Sequence, residues 1–481
     1  VDRDHVVELR DFRPGLISAD PPAQLPPGAA RSCTNVWLTR AGQLGVRPAR
    51  IKLAPTAAPL PPATSTATAA LGVVPEMHYL AAGDVDAWAG PAGSMDPIAG
   101  WVSGPSTLLP GLNAVFVRYG DKWCAINQSE FHTLTYNAGT GIWTALVEPE
   151  VTLPRGCLAS VHQNLLFVSG NDSQSQRIWF SEPYAPTAPW DNDKHWFDVP
   201  PRAGGPITAI VSHQGLLYVL TARDGWVAQG YDWDLMTDVV VSPLDITDGC
   251  VAPRSVVSHP SGLYWMGRDG IYTVSGRIPR CISDQVADYF GEDNDNRASC
   301  VLATRDWIAW SLCAEGGLPN GTLIYDLRHK SWTFWNLSVH AWFPFGDKGL
   351  GTFQDAADGR MRYLDPTEFT DDGTPILWQW RPGLFAPSGS PFMRAMFIRA
   401  QVFTESYGGS SLLAVDYAWD TNPPRHAVLP EIGTVSSWEP ASTHLGLPGE
   451  GFFLDVAFRG LLSHAFCFEG LLVAARAVTP A

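Results

Sequence analysis

The ten residues HQNLLFVSGN from His162 return almost unchanged as HQGLLYVLTA from His213, and this echo constrains the fold more than any other feature of the chain. Leu165 and Leu216 lie 51 positions apart, Leu263 follows 47 further on, and Trp307 another 44. Each copy holds a polar turn, an apolar run of strand length, a second turn and a second run: LLFVSG with QRIWFSE, LLYVLT with GWVAQG, GLYWMG with GIYTVSG, WIAWSLC with GTLIYDL. Short β-branched and aromatic runs between Gly, Asn or Asp turns are hairpin signals. In the RDG turn at 268–270, glycine is expected for its tolerance of positive φ. Meanders repeated at this period fit propeller blades better than solenoid coils, whose repeats are usually shorter. Weaker copies at 113–137 and 349–366 bring the count to about six blades, closed into a ring that leaves no sheet edge exposed.

Composition points the same way. The 20 Trp, 40 Pro and 45 Gly among 481 residues suit sheets and turns, because Pro and Gly disfavour helices and Trp favours strands. Residues 54–75, APTAAPLPPATSTATAALGVVP, read as an extended linker. They separate an N-terminal arm, 1–53, too short to bury a core of its own, from a β-propeller at 76–388. Beyond it, FMRAMFIRAQVFTES, SSLLAVDYAWD and GEGFFLDVAFRG alternate with period two, and 389–481 read as a β-sandwich. The arm's VVELRDF and CTNVWLT have no other home, so they are expected to complete that sandwich, in this chain or a neighbouring copy, and to bury Leu9, Phe12, Val36 and Trp37.

The net charge of −16, with only five lysines, makes the surface repel phosphates rather than grip them. Eight cysteines lie scattered in apolar runs without a CxxC pair, as free buried thiols of a reducing compartment would. The opening VDRDHVVELRDF lacks the apolar core of a signal peptide, and no run approaches the length of a membrane span.

Candidate chemistry is sparse. His162, His213 and His259 head successive repeats, as a metal set with one ligand per blade would. No HxH or HExxH spacing accompanies them, so the histidine is expected to recur because the turn recurs. EDNDN at 292–296 lacks the glycine and distal glutamate of an EF-hand and reads as a solvated loop. SGNDSQSQRIW at 169–179 approaches a sialidase-type Asp-box, but Asp172 comes one place late and the glycine is missing. The Trp-Asp pairs at Trp190, Trp233 and Trp419 share no blade position, against a WD40 repeat. No GxSxG, P-loop or dinucleotide fingerprint appears in its required context. Two-carboxylate glycoside chemistry leaves no local motif to find. No catalytic, cofactor-binding or metal-ligating residue and no cofactor is therefore expected.

Residues 12–50 present Gly15-Leu16, Asp20, the Leu-Pro-Pro-Gly of 25–28, Asn35-Val36 and the Leu-Gly-Val-Arg-Pro of 44–48 in that order. This order resembles the N-terminal signature of tailed-bacteriophage virion proteins, and RIWFSEPYAPTAPWD at 177–191 is similar to a second line of that family. The resemblance implies a β-propeller of the tail nozzle or tail-tubular class, located in the virion tail and assembled in the host cytoplasm. It implies a six-fold ring of copies of this chain, contacts to portal, adaptor and tail fibre or spike proteins, DNA as passing cargo, no membrane insertion and no enzymatic activity. The chain lacks the inserted tip and fibre-dock domains of longer nozzle proteins, so terminal nozzle and proximal adaptor both stay open. The second expectation is a carbohydrate-binding or glycan-hydrolysing propeller that contacts a host surface.

Overall fold

The computed structural model describes residues 4–53, 59–63, 65–69, 78–83, 85–91, 95–109, 112–120, 122–147, 155–185, 190, 194–200, 205–231, 233, 238–246, 248–275, 277–291, 296–314, 319–343, 350–384, 386, 395–407, 412–420, 424–428, 439–445, 450–451, 453–462 and 465–477. Among them, seven four-stranded antiparallel sheets form the blades of a propeller. Blades one to six occupy 65–97, 115–147, 158–198, 207–243, 257–281 and 301–335, each a simple meander. Blade seven combines Val339–Phe343, Thr352–Asp355 and Met361–Asp365 with Ala49–Lys52, which pairs with Met361–Asp365 from the far side of the sequence. The inner strand of each blade touches that of the next, and blade seven touches blade one, so the ring is closed.

The opening echo is a hairpin. In blade three, His162 pairs with Leu165 across Gln163 (φ 47°) and Asn164 (φ 62°). In blade four, His213 pairs with Leu216 across Gln214 (φ 49°) and Gly215 (φ 77°). Two successive positive φ values make the tight turn whose twist matches that of the flanking strands, and Asn or Gly at the second position tolerates it. Glycine in the RDG turn has another role than expected. Gly270 is not in the left-handed region; a Cβ there would meet Ser283 Oγ at 2.4 Å, so close approach is what excludes a side chain.

Six of the seven blade interfaces have an apolar cluster of their own. Phe167, Leu217, Trp226 and Trp233 fill the one between blades three and four, and Leu80, Trp123 and Trp143 the one between blades one and two. Burying each such side chain contributes about 2 kcal/mol. Seven of the eight cysteines are buried and Cys281 is half-buried. Burial pushes the thiols of Cys33, Cys157 and Cys250 up to about 12.

The C-terminal region is a two-sheet sandwich completed by the arm. One edge of Ala465–Ala477 carries both Asp4–Leu9 and Leu44–Val46, and the other pairs with Ala395–Tyr407. In the second sheet, Ala30–Thr34 pairs with Thr374–Pro382, which continues through Leu454–Leu462 and Leu412–Trp419 to Arg425–Val428. Phe12 meets Trp380 edge-on, with ring centroids 5.7 Å apart. Leu9, Phe12 and Val36 are buried, while Trp37 is half-buried against the cluster of blades six and seven. The sandwich core runs on through Phe12 into Tyr264, Trp310 and Trp332, so arm, sandwich and blades five and six share one apolar interior.

Four expectations need correction. The blades number seven rather than six, because Ser65–Ala69, inside the expected linker at 54–75, is the inner strand of blade one. The Pro, Ala and Thr of that segment hide a strand that owes its place to neighbouring blades rather than to its own apolar pattern. Thr374–Pro382 belongs to the sandwich, although it falls in the expected propeller span 76–388. The end of the arm, Ala49–Lys52, belongs to blade seven rather than the sandwich. Local pattern does not reveal either assignment: Ala49–Lys52 pairs with Met361–Asp365, and Thr374–Pro382 with both Leu454–Leu462 and Ala30–Thr34, all far off in sequence.

Candidate functional site

Blade three carries the candidate site. Its second and third strands are joined by residues 170–176, at the end of the blade where the inner strand begins. The sequence fixes this connection tightly. Ser169 Oγ donates to the Arg177 carbonyl at 2.8 Å, and Asn171 Oδ1 accepts from the Ser173 amide at 2.8 Å. The Ser175 carbonyl accepts from the Ile207 amide at 2.8 Å, and the Gln176 carbonyl from the Val199 amide at 3.2 Å. Asp172, the misplaced aspartate of the Asp-box-like stretch, is a staple: it accepts from Ser106 Oγ and the Thr107 amide, both at 2.6 Å, and from Gln128 Nε2 at 3.2 Å. Burial raises its pKa, but the hydrogen bonds from Ser106 and Thr107 outweigh it and hold the carboxyl below its ordinary value.

The pinned loop forms one wall of an open groove of 700 Å³ lined by Gln174, Ser175, Gln176, Arg177, Asp198, Val199 and Pro200. Arg177 faces Asp198 across two adjacent strands and forks it, with Nε and Nη2 at 2.9 and 3.1 Å. The same guanidinium lies 3.5 Å from the ring centroid of Trp196. That hydrogen bond from Arg177 to Asp198 raises the arginine's pKa and keeps it charged. Asp198 retains 49% exposure of its side chain, so its carboxylate is oriented yet accessible. The side-chain amides of Gln174 and Gln176 and the Ser175 hydroxyl have no partner among the described residues. Two planar amides, a hydroxyl and an oriented carboxylate thus face one groove, a donor and acceptor set suited to the adjacent hydroxyls of a sugar. Asp198 is the one carboxylate among the residues lining it.

On the propeller axis lies a second cavity, of 680 Å³, walled by the inner strands of blades two to seven. Its walls are mainly apolar, from Leu112 and Phe116 through Val211 and Val257 to Leu302 and Trp342, and no carboxylate is among the lining residues. Paired carboxylates on the axis, the arrangement glycoside hydrolysis uses, are therefore not found among the described lining residues.

The repeated histidines are latches between blades. His162 Nδ1 lies 2.9 Å from Ser212 Oγ of the next blade, and His213 Nδ1 lies 2.9 Å from Ser258 Oγ of the one after. Both rings are buried, and desolvation lowers both pKa values. His259 breaks the series and turns to Ser261 of its own turn, at 2.7 Å. Among the described residues no three His, Cys, Asp or Glu side chains converge as a metal site. The latch has a sequence signal after all: the serine precedes the next histidine in the repeated VSH of 211–213 and 257–259. Trp190, Trp233 and Trp419 are core residues of three different clusters. Of EDNDN, 292–295 lie outside the described residues, while Asn296 is buried and accepts from the Cys313 amide at 3.0 Å. The groove itself escaped sequence reading, because Arg177 and Asp198 meet only once strand register is known.

No family model matches the chain, and no curated protein matches it. Solved structures that match include the exo-β-1,3-galactanase of Phanerochaete chrysosporium with galactose, at 10% identity and a TM-score of 0.30, over 82% of this chain and 100% of that one. Two variants of that galactanase with β-1,3-galactotriose match at TM-scores of 0.27 and 0.28 and identities of 10% and 9%, over 92% and 88% of this chain and 99% and 100% of theirs. At these values no residue, substrate or activity passes from the galactanase to this chain. The matches named are glycan hydrolases and not virion components, so the expected phage-tail ring without enzymatic activity is corrected.

Proposed function

We propose that this chain is a glycan-binding β-propeller whose binding site is the groove of blade three. The observation that carries the reading is the Arg177–Asp198 fork, held over Trp196 and flanked by the uncommitted amides of Gln174 and Gln176. A carboxylate fixed by a guanidinium offers two acceptor oxygens in a defined plane, and the planar amides add paired donors and acceptors. The acidic surface favours neutral or cationic sugars over sulfated and sialylated ones.

A glycan array probed with the intact protein and with Asp198→Ala tests this. The intact chain should bind a restricted set of neutral glycans, and Asp198→Ala should lose about tenfold or more in affinity for them. The reading fails if the intact chain binds no glycan, or if the variant binds the same set equally well.

A further inference from the structure

The axial cavity holds a charge that the protein leaves incompletely compensated. Arg254 stands on the short turn Pro253–Ser255, just ahead of the inner strand of blade five, and lines the cavity. It reaches across the ring: Nη1 donates to the carbonyls of Ala63, at 3.1 Å, and His340, at 3.0 Å, while Nη2 donates to the carbonyl of Ala298. These carbonyls belong to the approaches of blades one and six and to the inner strand of blade seven. Three of its five N–H groups are thereby used. Nε has no partner among the described residues, and no carboxylate pairs with the guanidinium.

A half-buried cation facing apolar walls is costly unless an anion meets it. The carbonyl dipoles offset part of that cost and fix the plane of the guanidinium. They leave Nε, on the edge that normally forks a carboxylate, directed to neither backbone nor side chain. Leu158, Val211, Val257 and Leu302 line the same cavity and offer only hydrocarbon, while its second arginine, Arg305, is exposed. We propose that the axial cavity binds an aliphatic carboxylate, with its headgroup on Arg254 and its chain along the inner strands. The proposal stands independently of the blade-three groove, from which it differs in chemistry and position.

Isothermal titration with decanoate and with decanol, an uncharged probe of the same chain length, separates headgroup from chain. The intact protein should bind decanoate about tenfold more tightly than decanol. Arg254→Gln should bring decanoate down to the decanol value and leave decanol unchanged. Arg254 ties three blades together, so Ala159→Phe, which projects a ring into the cavity from a half-buried wall position on an inner strand, serves as a second variant. It should abolish binding of both probes while glycan binding at the groove persists. The proposal is overturned if the intact protein binds neither probe or both equally, if Arg254→Gln keeps the preference, or if Ala159→Phe binds as the intact protein does.

Discussion

Blade three and blade seven have the same four antiparallel strands but are closed by different means. Blade three is one unbroken stretch of chain, 158–198, whose turns are set by neighbouring residues and whose faces are cemented by apolar clusters on both sides. Blade seven takes its fourth strand from the N-terminal arm, and its seam is ionic. Buried Arg47 pairs with Asp371 at 2.5 Å, Arg50 with Asp371 and Asp355 at 3.0 and 3.1 Å, and Arg362 with Asp355 at 2.7 Å. The two seams differ because their strands face different problems of register. A local meander finds its register through its turns, whereas a strand arriving from about 300 residues away needs directional contacts that reject wrong registers.

Cutting one carboxylate from each blade sharpens that contrast. Asp371→Ala leaves Arg47 buried without its partner, and should lower the unfolding free energy by about 3–5 kcal/mol in urea titrations. Asp198→Ala removes a pair that is half open to water, and should cost less than about 1 kcal/mol. Equal losses would mean that the seam has no special part in closing the ring.

The turns of blade three give the next largest effect. Asn164→Val places a β-branched residue at φ 62° and should cost about 1–2 kcal/mol, read as a lower melting temperature. No change would show that the hairpin is dictated by the surrounding blades and not by its own turn.

The smallest effect concerns the latches. Desolvation lowers the pKa of His162 and His213 in the folded chain below the ordinary 6.5. On acidification the unfolded chain takes up protons first, so the stability these neutral rings contribute is present above 6.5 and is lost as the pH falls below it. A double variant, His162→Gln with His213→Gln, should show a shallower decline of melting temperature between about pH 7 and about pH 5 than the intact chain. An identical decline would place the acid sensitivity elsewhere.

The sequence made legible what is local. The echo at His162 and His213 revealed the meander and the all-β class, because a two-residue turn and two apolar runs are written within a dozen letters. The pairing of the arm with the sandwich also followed, since its strands had no nearer partner. Ring closure by Ala49–Lys52 was not legible, nor was the strand at Ser65–Ala69, because ARIK and STATA alternate over too few residues, with alanine as most of the apolar set, to stand out from a loop. The groove stayed hidden for a related reason: Gln174, Arg177 and Asp198 become neighbours through register, and the one signal nearby, the Asp-box-like stretch, led to Asp172, which is a structural staple.

Hydrogen exchange with and without the best neutral glycan from the array separates the blade-three groove from every other surface, since it reports where on the propeller the ligand sits. A glycan in the groove should slow exchange at 174–177 and 198–199, where the Arg177 and Val199 amides border it, with little change along the axial inner strands. Protection confined to the axis or to the sandwich, with blade three unaffected at saturating glycan, would contradict this placement.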